Sequence, residues 1–237
     1  MTHSLKYLAV VAILATFFSC KKDNYSPPNL MLTGQLTYQN TPINVEKNAV
    51  HLQIYQFGFG RVGPVDETFS QDGSYSTMLF SGDYKMVVPN GDGPFIITQK
   101  APGVPDTLAV TLNSNQTVNI EVTPYYLINA SQIAAVGTDS IHAAFQIQKI
   151  ITDSATAKNI EYVRLFVNKT QFVSGGNNIA TANINGADIT DAGNVSLGVK
   201  VPAMTPTQTY VYARVGLKIV NVEDLIFSPL VKVDLGK

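Results

Sequence analysis

Residues 72–88 read DGSYSTMLFSGDYKMVV, and this stretch decides the fold class. Asp72-Gly73 is a hairpin-turn pair, because glycine takes up the positive φ that a tight reversal demands. Tyr75, Thr77 and Leu79 then alternate with more polar neighbours. After Gly82 the pattern resumes with Tyr84, Met86 and Val88. A period of two sends successive side chains to opposite faces, so each segment has one apolar face and reads as a half-buried strand.

The same period extends in both directions. Upstream it takes in Val50, Leu52 and Ile54. Downstream come Leu108, Val110 and Leu112, then Val118, Ile120 and Val122, before Thr123-Pro124 ends the run. A second series follows Tyr125. Ile141, Ala143, Phe145 and Ile147 share a face, as do Val163, Leu165 and Val167. Val195, Leu197, Val199 and Val201 follow, then Val211, Ala213, Val215, Leu217 and Ile219, and finally Leu230, Val231 and Val233. Pro229 puts the start of the last strand at an edge or bulge. No segment sustains helical periodicity. The pattern predicts an all-β chain of two tandem antiparallel β-sandwich domains, residues 29–124 and 125–237.

The N-terminus reads as an address. Lys6 precedes an apolar run, Tyr7 to Ala15, too short for a membrane span and suited to a signal peptide. Phe17-Phe18-Ser19-Cys20 follows, and Cys20 is the only cysteine in the chain. Small Ser19 before Cys20 resembles the lipobox of bacterial lipoproteins. That resemblance implies removal of residues 1–19, lipidation of Cys20 and a tether over residues 20–28. Each buried acyl methylene contributes about 0.8 kcal/mol, so several chains on one cysteine hold stably. The expected location is the outer membrane, by lipid anchor, with the cell surface favoured and the periplasmic face left open because Lys21-Lys22-Asp23 is not a clear surface-export signal. With one cysteine, no intrachain disulfide supports the fold.

Charged residues are 14% of the chain and the net charge is −1. Such a chain lacks the clustered Lys and Arg of a nucleic-acid footprint. Three histidines are present: His3 in the signal, and His51 and His142, one per sandwich. No His-Glu-x-x-His, Gly-x-Ser-x-Gly or phosphate-cradling glycine loop occurs. Asp66, Glu67, Glu161, Glu223 and Asp224 are a supply of carboxylates that any β-protein of this size carries. The reading is no catalytic residue, no enzyme and no cofactor. Asn183 to Asp191 offers oxygen side chains at alternate positions. However, Gly186 falls at the wrong place for an EF-hand and no closing Glu follows, so the stretch reads as a hairpin loop and no metal is expected.

Aromatic side chains are the remaining candidates. Tyr162, Arg164 and Phe166 alternate with Val163, Leu165 and Val167, and Tyr210, Tyr212 and Arg214 alternate with Val211, Ala213 and Val215. If the two strands are neighbours, their outer faces build one Tyr/Phe/Arg ladder able to bind a sugar or a protein partner. The alternative is a face covered by the first domain. A second patch is Tyr55, Phe57 and Phe59, the last on the Gly58–Pro64 loop. The chain has no tryptophan, the widest stacking surface for a sugar ring.

Three resemblances follow from these residues. Gly34-Gln35-Leu36, Asp72-Gly73-Ser74-Tyr75 and Gly82 to Val88 resemble the carboxypeptidase-regulatory, prealbumin-like domain, a non-catalytic module. Met204 to Tyr210 is similar to the start of strand F in fibronectin type III domains, where a tyrosine corner would turn Tyr210 inward. The alternation at Val211 turns it outward, and both readings stand at this stage. The whole chain, through Asn24 to Pro28, Leu79 to Tyr84, Gly93-Pro94-Phe95 and Val122 to Tyr125, resembles Bacteroidetes two-domain lipoproteins of the domain-of-unknown-function 3823 type. That resemblance implies encoding beside SusC/SusD-type glycan-uptake pairs. It points to an accessory binding component for polysaccharide, or a spacer within an outer-membrane complex with no glycan contact.

Overall fold

A computed structural model describes residues 26–58 and 63–236. The signal, Cys20 and most of the tether, together with Phe59, lie outside the described residues.

The first sandwich has two sheets. In one, Leu30–Tyr38 pairs antiparallel with Ser74–Leu79, through Leu30↔Leu79 to Gln35↔Ser74, and Thr41–Pro42 folds back on its end. The other orders Leu108–Leu112, Gly82–Val87, His51–Gln56 and Pro64–Thr68. The alternation behaves as its period predicts over most of these strands, although Leu108, expected on the core face, is 41% exposed at the start of an edge strand. Leu32 and Leu36 from one sheet, and Leu52, Ile54, Met86 and Leu112 from the other, are buried between them. Val118 to Val122 departs from the single strand expected. Two short pieces, Gln116–Thr117 and Ile120–Glu121, run parallel to Leu30–Tyr38 with a break between them.

The second sandwich stacks a sheet of Tyr126–Val136, Ser140–Lys149 and Val195–Lys200 against one ordered Ala180–Asn185, Ile160–Asn168, Tyr210–Ile219. Leu225–Phe227 and Val231–Asp234 share the far edge of Tyr210–Ile219. Val163, Leu165, Val167, Val211, Ala213, Val215 and Leu217 are wholly buried in the core. Ala180–Asn185 is a strand, although its Asn-rich end reads as loop by composition. The turn starts at Gly186, where a short 3-10 helix spans Gly186–Asp188. Asn185 Nδ2 donates to Asp188 Oδ2 at 2.8 Å and Gly193 N–H to Asp191 Oδ1 at 2.8 Å, so these side chains serve the turn itself. Tyr210 is half-buried beside Tyr212 while Val211 faces the core, so the strand's alternation prevails over the tyrosine-corner reading.

Most buried apolar residues of both sandwiches form one continuous cluster, through Phe95, Val122, Tyr125 and Tyr126 at the junction, while Phe166, Val173, Leu225 and Phe227 form a second, smaller one. Polar contacts add to this seam. Phe227 N–H donates to Asn44 O at 3.0 Å, Gly93 N–H to Asp224 Oδ2 at 2.9 Å, and Val173 N–H to Gln71 Oε1 at 2.9 Å. These first-sandwich residues follow or precede strands at one end of the domain. The chain enters at the opposite end, where Leu30 pairs with Leu79.

Candidate functional site

The ladder expected on the second sandwich is built from neighbouring strands. Tyr162 lies opposite Lys218, Arg164 opposite Gly216, Phe166 opposite Arg214, and Asn168 opposite Tyr212. The side chains therefore share one outer face, but that face is not continuously open. Phe166 is fully buried and Arg214 retains 1% of its exposure. Both depart from the outward-facing ligand contacts expected of them. The cause is a cover of two parts: first-sandwich residues around Asn44 and Val45, and the second sandwich's own segment around Val173. Arg214 donates from Nη1 to Val45 O at 3.0 Å and from Nε to Val173 O at 2.6 Å. Its guanidinium lies 3.6 Å over the Phe227 ring, and Phe166 packs on Phe227 at 5.9 Å between ring centroids.

Burial pushes Arg214 down to about 9, and Glu46 nearby opposes the shift. It stays protonated at neutral pH, held by carbonyl oxygens and an aromatic face, with no carboxylate at ion-pair distance among the described residues. Nothing in its alternating pattern marked it as an interdomain residue. The only signal was an arginine set between Ala213 and Val215 in a mostly apolar run.

The covered centre divides the remaining candidates. On one side, Arg164 lies 4.5 Å over the ring of half-buried Tyr162 and donates from Nε to Asn183 Oδ1 at 3.3 Å. Asn185 pairs in register with Tyr162, and both asparagines are exposed. This cluster sets a guanidinium stacked on a half-buried ring beside two exposed amides on paired strands. On the other side, Tyr210 and Tyr212 meet edge to face at 5.8 Å, with Lys232 Nζ 4.1 Å over Tyr210. In the first sandwich Tyr55 donates its hydroxyl to Gln53 Oε1 at 2.9 Å and is half-buried, while Phe57 is 45% exposed.

His51 and His142 are not brought together. His51 Nδ1 meets Asp92 Oδ2 at 3.1 Å, and His142 is exposed on the other sandwich. Asp224, one of the five carboxylates considered for catalysis, instead receives Gly93 N–H at the seam. Burial raises its pKa, the Gly93 bond opposes this, and Asp92, Glu223 and Glu46 add to the rise. A carboxyl raised on folding stabilises most below its ordinary range, and this contribution is lost as pH climbs through the folded value. Asp224→Asn keeps an acceptor for Gly93 without the charge. It is expected to raise the melting temperature at neutral pH and to flatten its decline as pH rises from the ordinary carboxylate range to neutrality. Thermal melts across that range check this, and an unchanged slope would refute it.

Comparisons with known proteins agree with this architecture. Residues 30–123 match the family model described as "Protein of unknown function (DUF3823) N-terminal domain", and residues 126–232 match "Domain of unknown function (DUF3823_C)". A DUF3823 family protein from Parabacteroides merdae ATCC 43184 is 30% identical, with a TM-score of 0.75 over 88% of this chain and 100% of that one. One from Bacteroides ovatus ATCC 8483 is 26% identical, with a TM-score of 0.75 over 87% of this chain and 100% of its own. A proposed carbohydrate binding protein from Bacteroides uniformis ATCC 8492 shares the fold at 15% identity, with a TM-score of 0.66 over 88% and 100% of the two chains. No curated protein matches the chain.

Proposed function

The chain belongs to the DUF3823 family, whose function is unknown, and from that membership we propose a non-catalytic, lipid-anchored accessory of polysaccharide uptake at the outer membrane. Cys20 carries the anchor in this reading, the SusC/SusD-type proteins are its neighbours, and the cell surface is its side of the membrane. The carrying observation is the Tyr162–Arg164 pair beside exposed Asn183 and Asn185. Sugar rings stack on aromatic faces, and their hydroxyls take hydrogen bonds from guanidinium and amide groups. Strand support keeps such groups in place without a further ordering cost on binding.

A glycan array or affinity-gel screen of the mature, unlipidated chain finds the ligand, and isothermal titration measures it. Tyr162→Ala is expected to weaken binding by roughly thirtyfold, the effect of losing an aromatic hot spot of about 2 kcal/mol. Melting curves control for folding. Unchanged affinity in a folded Tyr162→Ala protein excludes this face, and the Tyr210–Tyr212 cluster is then the next surface to truncate.

A second reading is favoured by a separate observation. Burial of Phe166 and Arg214 at the contact between the sandwiches stiffens the two-domain unit, as a spacer in an outer-membrane complex requires. A screen without any glycan hit supports that reading.

A further inference from the structure

We propose that the end of the first sandwich from which the chain emerges rests on the lipid surface, with Phe57, Met78 and Phe80 entering the headgroup region. The strand register sets all three at one end of the sandwich, Met78 on one sheet and Phe57 on the other. Gln56 pairs with Tyr84, and Phe57 N–H donates to Asp83 O, which sets Phe57 beside the turn that carries Phe80. Met78 pairs with Met31 and Leu79 with Leu30, so the same end receives the N-terminal segment. Phe57 is 45% exposed, Met78 52% and Phe80 38%. Large apolar side chains gathered at one exposed end mark an interaction surface.

Chain length selects lipid as the occupant. This inference rests on Cys20 being the anchor. From Cys20 to Ser26 the backbone reaches at most about 20 Å when fully extended. The end that receives residue 30 is therefore held close to the bilayer, and the second sandwich, joined at the opposite end through Asn44, Gln71 and Gly93, points away from it. Lys85 Nζ lies 5.4 Å from the Phe57 ring centroid. An aromatic ring with a lysine that can reach up to phosphate is the side-chain pair that suits the interface. Docking this way would also present the Tyr162–Arg164 cluster outward, on the sandwich farther from the lipid.

The absence of native tryptophan makes a clean test. The lipidated full chain is placed in phosphatidylcholine–phosphatidylglycerol vesicles containing dibrominated phosphatidylcholine, as Phe57→Trp, Phe80→Trp and Val136→Trp. Val136 is 59% exposed at the end of Tyr126–Val136 away from the junction and serves as the distal control. Positions 57 and 80 are expected to show a blue-shifted emission quenched severalfold more than position 136. Adding Phe80→Asp to the Phe57→Trp protein is expected to reduce that quenching. Flotation with the vesicles reads the anchor separately. A protein that floats without quenching at 57 and 80, as it would if this end faced a protein partner, overturns the docking and leaves the anchor standing. Equal quenching at all three positions overturns it as well. A protein that fails to float refutes the anchor and the docking together.

Discussion

Arg214→Ala is expected to cost about 3 kcal/mol of unfolding free energy and to loosen the junction between the two sandwiches. The substitution strips the donor from two buried carbonyls, Val45 O in the first sandwich and Val173 O in the second. Each unsatisfied carbonyl costs about 1–3 kcal/mol. Removing the guanidinium from over Phe227 also leaves an unfilled space against that ring. One effect runs the other way. A buried cation without a carboxylate partner is itself costly, and Arg214 Nη2 has no hydrogen-bond partner among the described residues. Relief of that cost keeps the total near the lower part of the range. Arg214→Met separates these contributions: it refills the space over Phe227 but supplies no donor, so it should recover only part of the loss. Urea titration measures both, and a lower m-value in Arg214→Ala would report weaker cooperativity between the sandwiches. An Arg214→Ala protein within about 0.5 kcal/mol of wild type would refute this account of the seam.

What the sequence discloses and what it hides divide along a physical line. Alternation reports which face of a strand is apolar, and the runs at Leu52 and Ile54, at Tyr84 to Val88 and at Val211 to Leu217 are buried as their period predicts. Alternation is silent about what lies on the other face. Tyr162 and Phe166 have the same spacing from the core, yet one is half-exposed and the other wholly buried. The difference is made by Asn44 and Val45, some 120 residues upstream in a segment with no strand pattern, and by the loop through Val173. Cover of this kind depends on how the two sandwiches dock, and no local period encodes docking. Ala180–Asn185 was obscured for another reason. Its asparagines favour turns by composition, but pairing with Ile160–Asn168 along six residues outweighs that preference. Tyr210 shows local pattern prevailing over motif, because inward rotation there would turn Val211 out of the core.

Gly34→Ala is expected to destabilise the first sandwich by about 3 kcal/mol or more, for a reason no alternation reveals. Gly34 faces Tyr75 across the Leu30–Tyr38 and Ser74–Leu79 pair. On its other side the returning chain breaks between Gln116–Thr117 and Ile120–Glu121. At that break Val118 N–H donates to Thr33 O at 2.7 Å, and Gln35 N–H donates to Asn119 Oδ1 at 3.1 Å, a side chain standing in for the ladder. The Val118 carbonyl turns inward and accepts the Tyr75 hydroxyl at 2.8 Å. It can do so only because position 34 has no side chain: a Cβ there would lie 1.8 Å from Val118 O and 2.7 Å from the Tyr75 ring. Backbone must move to admit it, and the break is fixed on both flanks by the parallel pairs. Tyr75→Phe, which merely leaves Val118 O without its phenol donor, should cost about 1–2 kcal/mol. Both substitutions act on the same carbonyl. Once alanine has displaced Val118, the tyrosine hydroxyl has little left to lose, so the double variant should lose less than the sum of the two singles. Strict additivity in chemical denaturation would mean that Gly34 and Tyr75 serve the sandwich independently, and that the close approach of Val118 is not what requires glycine at position 34.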